Sequence, residues 1–294
     1  MNHVSVRVPA STANLGPGFD CLGVALQLYN RVTIDRTIPP AGPPGELAGN
    51  AAQRYFQAAA TSPFDFSWSA TGEVPRSRGL GSSVTIRLGL MHGLNVLCGT
   101  PLSAEQLFEL CTELEGHPDN AAPAAFGGFT IARTGTATIR AEVDPSLKFV
   151  LLIPDFEIAT PGARAALPDT VDRRAAVMSC VNATRIAAAF LTHRYEILRD
   201  SFDDGLHQPY RESLIPCLGE VIAAGVAAGA LGGYLSGSGS TICCLTLEDP
   251  APIAAAMFAA AENPGAQTVI TSADNAGTMT VESPAAALAA APTA

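Results

Sequence analysis

Residues 75–85 read PRSRGLGSSVT, and the fold turns on how this stretch is interpreted. Gly79 and Gly81, two residues apart, let the backbone come close to a bound group. Beyond them Val84, Leu88, Met91, Leu94 and Leu97 recur near helical spacing, until Gly99 and Pro101 stop the run. Ser82 and Ser83 therefore stand at a helix start, where unpaired N–H groups and the helix dipole favour an anion. Their hydroxyls can donate to a phosphate or ligate Mg²⁺. The competing interpretation is a capped helix after a glycine turn, and the stretch alone leaves both open.

Other phosphate-binding devices are absent. No GxxxxGK[ST] loop occurs, and the single lysine, Lys148, lies in SLKFV outside any glycine loop. HRD and DFG motifs, a GxSxG elbow and a GxGxxG fingerprint are also missing. A phosphate site here has to use backbone amides, serines, a metal and arginine. Residues 232–241, GGYLSGSGST, offer a second nest of small residues ahead of the apolar ICCLTL. A third segment, 9–23, reads PASTANLGPGFDCLG, with Asn14 and Asp20 as its polar features. Each is compatible with ordinary turn chemistry.

Working outward, residues 4–8 alternate as a strand, Ser11–Gly18 is expected as a loop, and Tyr29–Ile34 as a second strand. A proline-rich connector, 37–46, precedes a helix at 50–60 and a strand at 64–70. Ser103 with Gln106 predicts a capping box for a helix burying Leu107, Leu110, Cys111 and Leu114, stopped by Gly116. A hairpin is expected over 126–141 and a fully buried strand over 148–154. Helices at 172–201, 214–228 and 251–262, and strands at 241–247 and 268–281, complete the pattern. The Ala- and Pro-rich tail, 283–294, is expected to be disordered. The mixture predicts an α+β fold of two tandem domains, 1–146 and 147–294, without an internal repeat.

A net charge of −10 argues against nucleic acid, and a single lysine argues against a basic membrane-binding patch. Seven cysteines, an odd number without a CxxC pair, predict buried free thiols in a reducing compartment. No apolar h-region and no uninterrupted membrane-length run are evident, which predicts a cytoplasmic protein without membrane partners.

Taken in order, PASTANLGPGFDCLG, RGLGSSVT, ELEGHPDNAAPAAFGG and LSGSGST closely resemble the successive motifs of homoserine kinases. These form a branch of the GHMP small-molecule kinases (galactokinase, homoserine kinase, mevalonate kinase, phosphomevalonate kinase). The resemblance runs from Val4 to about Leu245. It implies a ribosomal-protein-S5-like N-terminal domain and a ferredoxin-like C-terminal domain, with the active site in the cleft between them. It implies ATP phosphates on Gly79, Leu80, Gly81, Ser82 and Ser83, Mg²⁺ on Ser83 and Glu115, and Gly237, Ser238 and Gly239 as a third glycine motif. Asn50 resembles a contact to the nucleotide base.

PDFEIATPGARAALP (154–168) and HQPYRESLIP (207–216) resemble the stretches that contact the amino-acid substrate. Thr160, Arg164 and Arg211 carry over, with Asn14, Asp20 and Asn120 as polar contacts; an arginine fork suits a carboxylate, and Asp20 the ammonium group. The implied reaction is ATP-dependent phosphorylation of the side-chain hydroxyl of L-homoserine, with Asn120, Asp119 and Arg164 as the catalytic set. Asp119 is expected chiefly to position, with a general-base role as alternative and His117 as fallback. Three departures stand out: a short proline-rich stretch before the glycine loop, Ser240 in place of a proline, and Arg87. On Ser83's face, Arg87 is expected to reach a phosphate. Rival readings are a GHMP kinase for another alcohol and a non-catalytic sensor; a homodimer is compatible with either.

Overall fold

The computed structural model describes residues 1–40 and 42–281, so the expected disordered tail, 283–294, lies outside the described residues. In chain order the first part comprises β1 (His3–Ala13), β2 (Leu22–Asp35), α1 (Glu46–Ala58), β3 (Ser67–Gly72), α2 (Ser82–Leu97), α3 (Ala104–Glu115), α4 (Ala121–Phe126), β4 (Phe129–Ile131) and β5 (Ile139–Ala141). The second part comprises β6 (Lys148–Ile153), α5 (Thr160–Ala165), α6 (Arg173–Thr192), α7 (Gln208–Arg211), α8 (Leu218–Ala227), β7 (Gly232–Leu235), β8 (Ile242–Thr246), α9 (Ala251–Ala260), β9 (Gln267–Thr271) and β10 (Met279–Val281).

Two antiparallel sheets result. The first runs β10-β1-β2-β4-β5, with β3 also paired to β2, and the second runs β7-β8-β6-β9. Val4, Val6 and Val8 of β1 join Val32 and Ile34 of β2 in one apolar cluster. Tyr55 and Phe56 of α1, Leu88, Met91 and Leu94 of α2, and Leu107 and Cys111 of α3 cover that face. The capping box of α3 is formed as the sequence predicts, Ser103 accepting from the Gln106 N–H and Gln106 from the Ser103 N–H.

β6 is buried because both of its faces are covered. Phe149 and Leu151 join Phe129, Phe190 and Tyr234, whereas Val150 and Leu152 join Val221 of α8 and Ile253 and Met257 of α9. Leu22, Val24 and Leu26 of β2 belong to the same cluster as Phe149, so one core spans both sheets.

Several boundaries differ from expectation for local reasons. β1 continues through Ser11 and Thr12, whose hydroxyls are satisfied inside: Ser11 Oγ donates to Asn120 Oδ1 at 2.8 Å, and Thr12 Oγ1 lies 2.9 Å from Ser236 Oγ. The single strand expected over 268–281 is two strands in different sheets. Between them Asp274 accepts from the Ala276 and Gly277 N–H groups and turns the chain. The expected helix over 172–201 ends at Thr192, with His193 left-handed (φ 54°). By length and composition alone α6 is apolar enough to cross a membrane, but Arg185 interrupts the run, and the helix packs Ile186, Ala189 and Phe190 into the core. All seven cysteines are free, but Cys180 is exposed and only Cys111, Cys243 and Cys244 are fully buried.

Candidate active site

The glycine loop is held in place by backbone and by the other two glycine segments. Gly79 and Gly81 both take positive φ, 73° and 69°. Ser236 Oγ donates to the Gly79 carbonyl at 2.7 Å, and the Thr241 N–H donates to the Arg78 carbonyl at 3.1 Å. The Gly237 N–H reaches the Ala13 carbonyl at 3.1 Å, so the three segments meet. Arg78 braces the loop from behind, donating to the carbonyls of Pro154 and Asp155.

Gly81 is the N-cap of α2, and among the described residues no side chain caps the first N–H groups of the helix. Ser83 Oγ donates to Glu115 Oε2 at 3.0 Å. Glu115 is the last residue of α3, where Gly116 (φ 84°) ends the helix beside the start of α2. Arg87, one turn beyond Ser83, donates to the other oxygen of Glu115. This corrects the expectation that Arg87 reaches a phosphate: it is absent from the cleft lining because an adjacent carboxylate satisfies it first.

Opposite the loop lies a second set of charges. Asn14 (φ 70°) and Asp20 (φ 56°) sit on the turn after β1. Asn14 Nδ2 donates to the Gly237 carbonyl at 2.9 Å, and its Oδ1 accepts from the Asp20 N–H at 3.0 Å. Asn14 thus fixes the turn as well as lining the cleft. Arg164 of α5 holds Asp20 through two bonds, Nη2–Oδ1 2.7 Å and Nη1–Oδ2 3.1 Å. The hydrogen bond to Asp20, more than its charge, raises the pKa of Arg164.

Arg211 is 2% exposed and still reaches the cleft. Burial, and then the nearby Arg164, lower its pKa to about 10, so it remains a cation at neutral pH. Thr160 Oγ1 lies 3.3 Å from Ser238 Oγ, across from the phosphate loop. Asp119 Oδ1 accepts from the Asn120 N–H at 2.9 Å and lies 2.7 Å from His117 Nδ1. Burial opposes charge on His117, but the bond to Asp119 and that carboxylate's charge prevail and raise its pKa.

These groups line one cleft of about 540 Å³ between the two sheets' domains. It brings together Gly79, Gly81, Ser82, Ser83, Glu115, Asp119, Asn120, Asn14, Asp20, Thr160, Arg164, Arg211, Gly237 and Ser238. Three expected residues are not in its wall. Asn50 is exposed on α1, because the helix begins at Glu46 and turns Asn50 outward. Leu80 is buried, its carbonyl accepting from the Ser11 N–H. Gly239 packs behind Gly79. Instead of Asn50, Pro44–Ala48 and Trp68–Ala70 form the wall beyond the phosphate loop. The proline-rich composition of 37–46 and the surface alternation of β3 carried no signal for this.

The GHMP kinases N terminal domain family matches residues 46–128, and the GHMP kinases C terminal family matches residues 186–263. A homoserine kinase of Caldicellulosiruptor bescii is 39% identical over 263 residues, covering 84% of this chain and 85% of that protein. The chain belongs to the homoserine kinase family of GHMP kinases. A homoserine kinase of Moorella thermoacetica is 39% identical over 280 residues, covering 90% and 95% of the two chains. The crystal structure of a homoserine kinase from Cytophaga hutchinsonii superposes with a TM-score of 0.85 at 25% identity, covering 96% and 98%. The two-domain GHMP kinase fold is therefore present, and the chain is an ATP-dependent kinase of this family.

Proposed function

We propose that this GHMP kinase transfers the γ-phosphoryl group of ATP to the side-chain hydroxyl of L-homoserine, giving O-phospho-L-homoserine. The observation that carries the reading is the pairing of Asp20 with Arg164, beside Arg211, in the cleft that holds the GLGSS loop. A carboxylate and two guanidinium groups match the ammonium and carboxylate of an α-amino acid. The homoserine kinases that resemble the chain point to the same substrate.

In this reading the amides of Gly79–Ser83 and the dipole of α2 receive the ATP phosphates. Ser83 Oγ and Glu115 Oε2, 3.0 Å apart, form a hard-oxygen pair that fits Mg²⁺, which would neutralise phosphate charge. Arg164 and Arg211 take the substrate carboxylate, Asp20 the ammonium group, and Thr160 and Asn120 orient the hydroxyl. A loose phosphoryl-transfer transition state needs alignment and charge neutralisation more than a strong base. Asp119 Oδ1 is already engaged with His117 and the Asn120 N–H, so Asp119 is assigned to positioning.

The test is ADP release with ATP and Mg²⁺ across L-homoserine, L-threonine, L-serine and mevalonate. Homoserine-selective turnover is expected. Silence on homoserine with turnover of another alcohol overturns the substrate, and silence on all favours a sensor.

Arg87 neutralises Glu115, so its removal should sharpen the metal response. Arg87→Leu is expected to lower the half-saturating free Mg²⁺ concentration about fivefold, as follows from deleting a nearby cation in a partly screened site. A Mg²⁺ titration at fixed ATP measures this; an unchanged or higher requirement contradicts it.

A further inference from the structure

His207 lies outside every role assigned so far, yet both nitrogens of its ring are engaged. The residue precedes α7, the short helix that carries Arg211, and is 0% exposed. Asp204 fixes the start of that helix, accepting from the N–H groups of Leu206, His207 and Gln208. His207 Nδ1 lies 3.2 Å from Arg211 Nη1, and Nε2 lies 2.8 Å from the Gly16 carbonyl.

The tautomer follows from the partners. A guanidinium only donates, so Nδ1 must accept; a carbonyl only accepts, so Nε2 must carry the proton. The ring is neutral and has one orientation that satisfies both contacts. Arg211 is further held through Nε to the Ala163 carbonyl (3.2 Å) and Nη1 to the Gly237 carbonyl (3.0 Å). Among the described residues Nη2 has no protein acceptor, and Arg211 borders the cleft.

Gly16 belongs to the turn that carries Asn14 and Asp20. Phe19, on the same turn, stacks on His207 with ring centroids 5.1 Å apart, and lies beneath both Arg211 (5.3 Å) and Arg164 (5.6 Å). One imidazole therefore spans from the turn presenting the acidic group to the helix presenting the buried arginine.

We propose that His207 is a positioning residue that sets the spacing between the carboxylate-binding and ammonium-binding sides of the substrate subsite. It does so by donating to Gly16 and accepting from Arg211. This rests on the proposed role of Arg211 toward the substrate carboxylate. The charged groups facing the ring are Asp204 (3.5 Å from Nε2), Arg211 and, across the turn, Asp20. Burial lowers the pKa of His207, so the neutral ring persists through the neutral range. Protonation in acid would set a donor at Nδ1 against the donor of Arg211 and push the fork out of place.

The experiment compares wild type, His207→Phe, His207→Asn and Arg211→Met by steady-state kinetics in both substrates, by thermal melting, and by a pH profile of the homoserine KM. His207→Phe keeps the stacked ring but neither hydrogen bond. It is expected to raise the homoserine KM about tenfold or more, with the ATP KM within about twofold. His207→Asn, which restores an acceptor toward Arg211, should recover most of the loss and should lack the acid-side rise in homoserine KM seen in wild type. An unchanged homoserine KM in His207→Phe overturns the proposal. So do parallel rises in both KM values with a falling melting temperature, or an acid rise that persists in His207→Asn. If His207→Phe fails to fold, the His207→Asn profile decides alone. If Arg211→Met leaves the homoserine KM unchanged, the substrate reading fails; if it raises that KM while His207→Phe does not, only the positioning role fails.

Discussion

Arg164→Ala is expected to lower kcat/KM for L-homoserine by about 10²- to 10³-fold while leaving the KM for ATP within about twofold. The reason is the geometry of the pair it forms. Arg164 grips both oxygens of Asp20, and the two side chains are 37% and 34% exposed, so substrate can reach them. Removing the guanidinium leaves the carboxylate of Asp20 facing the carboxylate of the amino acid with only Arg211 to offset it. Stability should change little, because an ion pair exposed to this degree contributes at most about 1 kcal/mol. Arg164→Lys keeps the charge but loses the fork, and should fall between the two. An unchanged homoserine kcat/KM in Arg164→Ala would remove the carboxylate clamp from the mechanism.

The second large effect belongs to Gly79. A Cβ added there would lie 2.1 Å from the Ser236 carbonyl oxygen and 2.9 Å from the Gly239 nitrogen, both backbone atoms. Neither can rotate away, so Gly79→Ala must separate the phosphate loop from the LSGSGST segment. It should lower kcat/KM for ATP by about 10²-fold or more, with a loss of stability of about 2 kcal/mol or more. Gly99 is the natural control: its φ is similarly positive, at 82°, but nothing lies within 4 Å of an added Cβ. Gly99→Ala carries the conformational penalty without the collision, about 1 kcal/mol of stability, and should keep ATP kinetics intact. Equal losses of ATP kinetics in the two variants would mean that loop apposition is not what the glycine protects.

The sequence was most informative where a physical requirement is local. Positive φ at Gly79 and Gly81, the Ser103–Gln106 capping box and the two-faced burial of β6 each follow from a few adjacent residues. The grouping of Asn14, Asp20, Thr160, Arg164 and Arg211 was legible only as a resemblance, because Asp20 and Arg164 are separated by 144 positions. What stayed hidden depends on which neighbour wins. Arg87 has the spacing to face a phosphate, but Glu115 takes it. Asn50 has a suitable amide, but a helix that starts at Glu46 faces it to solvent. His207 gives no sign in the chain that its two nitrogens will join parts of the protein so far apart in sequence.

The last described strand carries a consequence for synthesis. β10 does not join the sheet of its sequence neighbours but returns to β1, pairing Val281 with Ser5. As the chain leaves the ribosome, β1 can pair with β2 almost at once, yet its other edge has to wait until Met279–Val281 emerge. Until then the nascent protein carries a strand with unsatisfied amides, the kind of edge that recruits other chains. A chain cut short just after residue 275 would thus have every strand of its second sheet and leave its first one open.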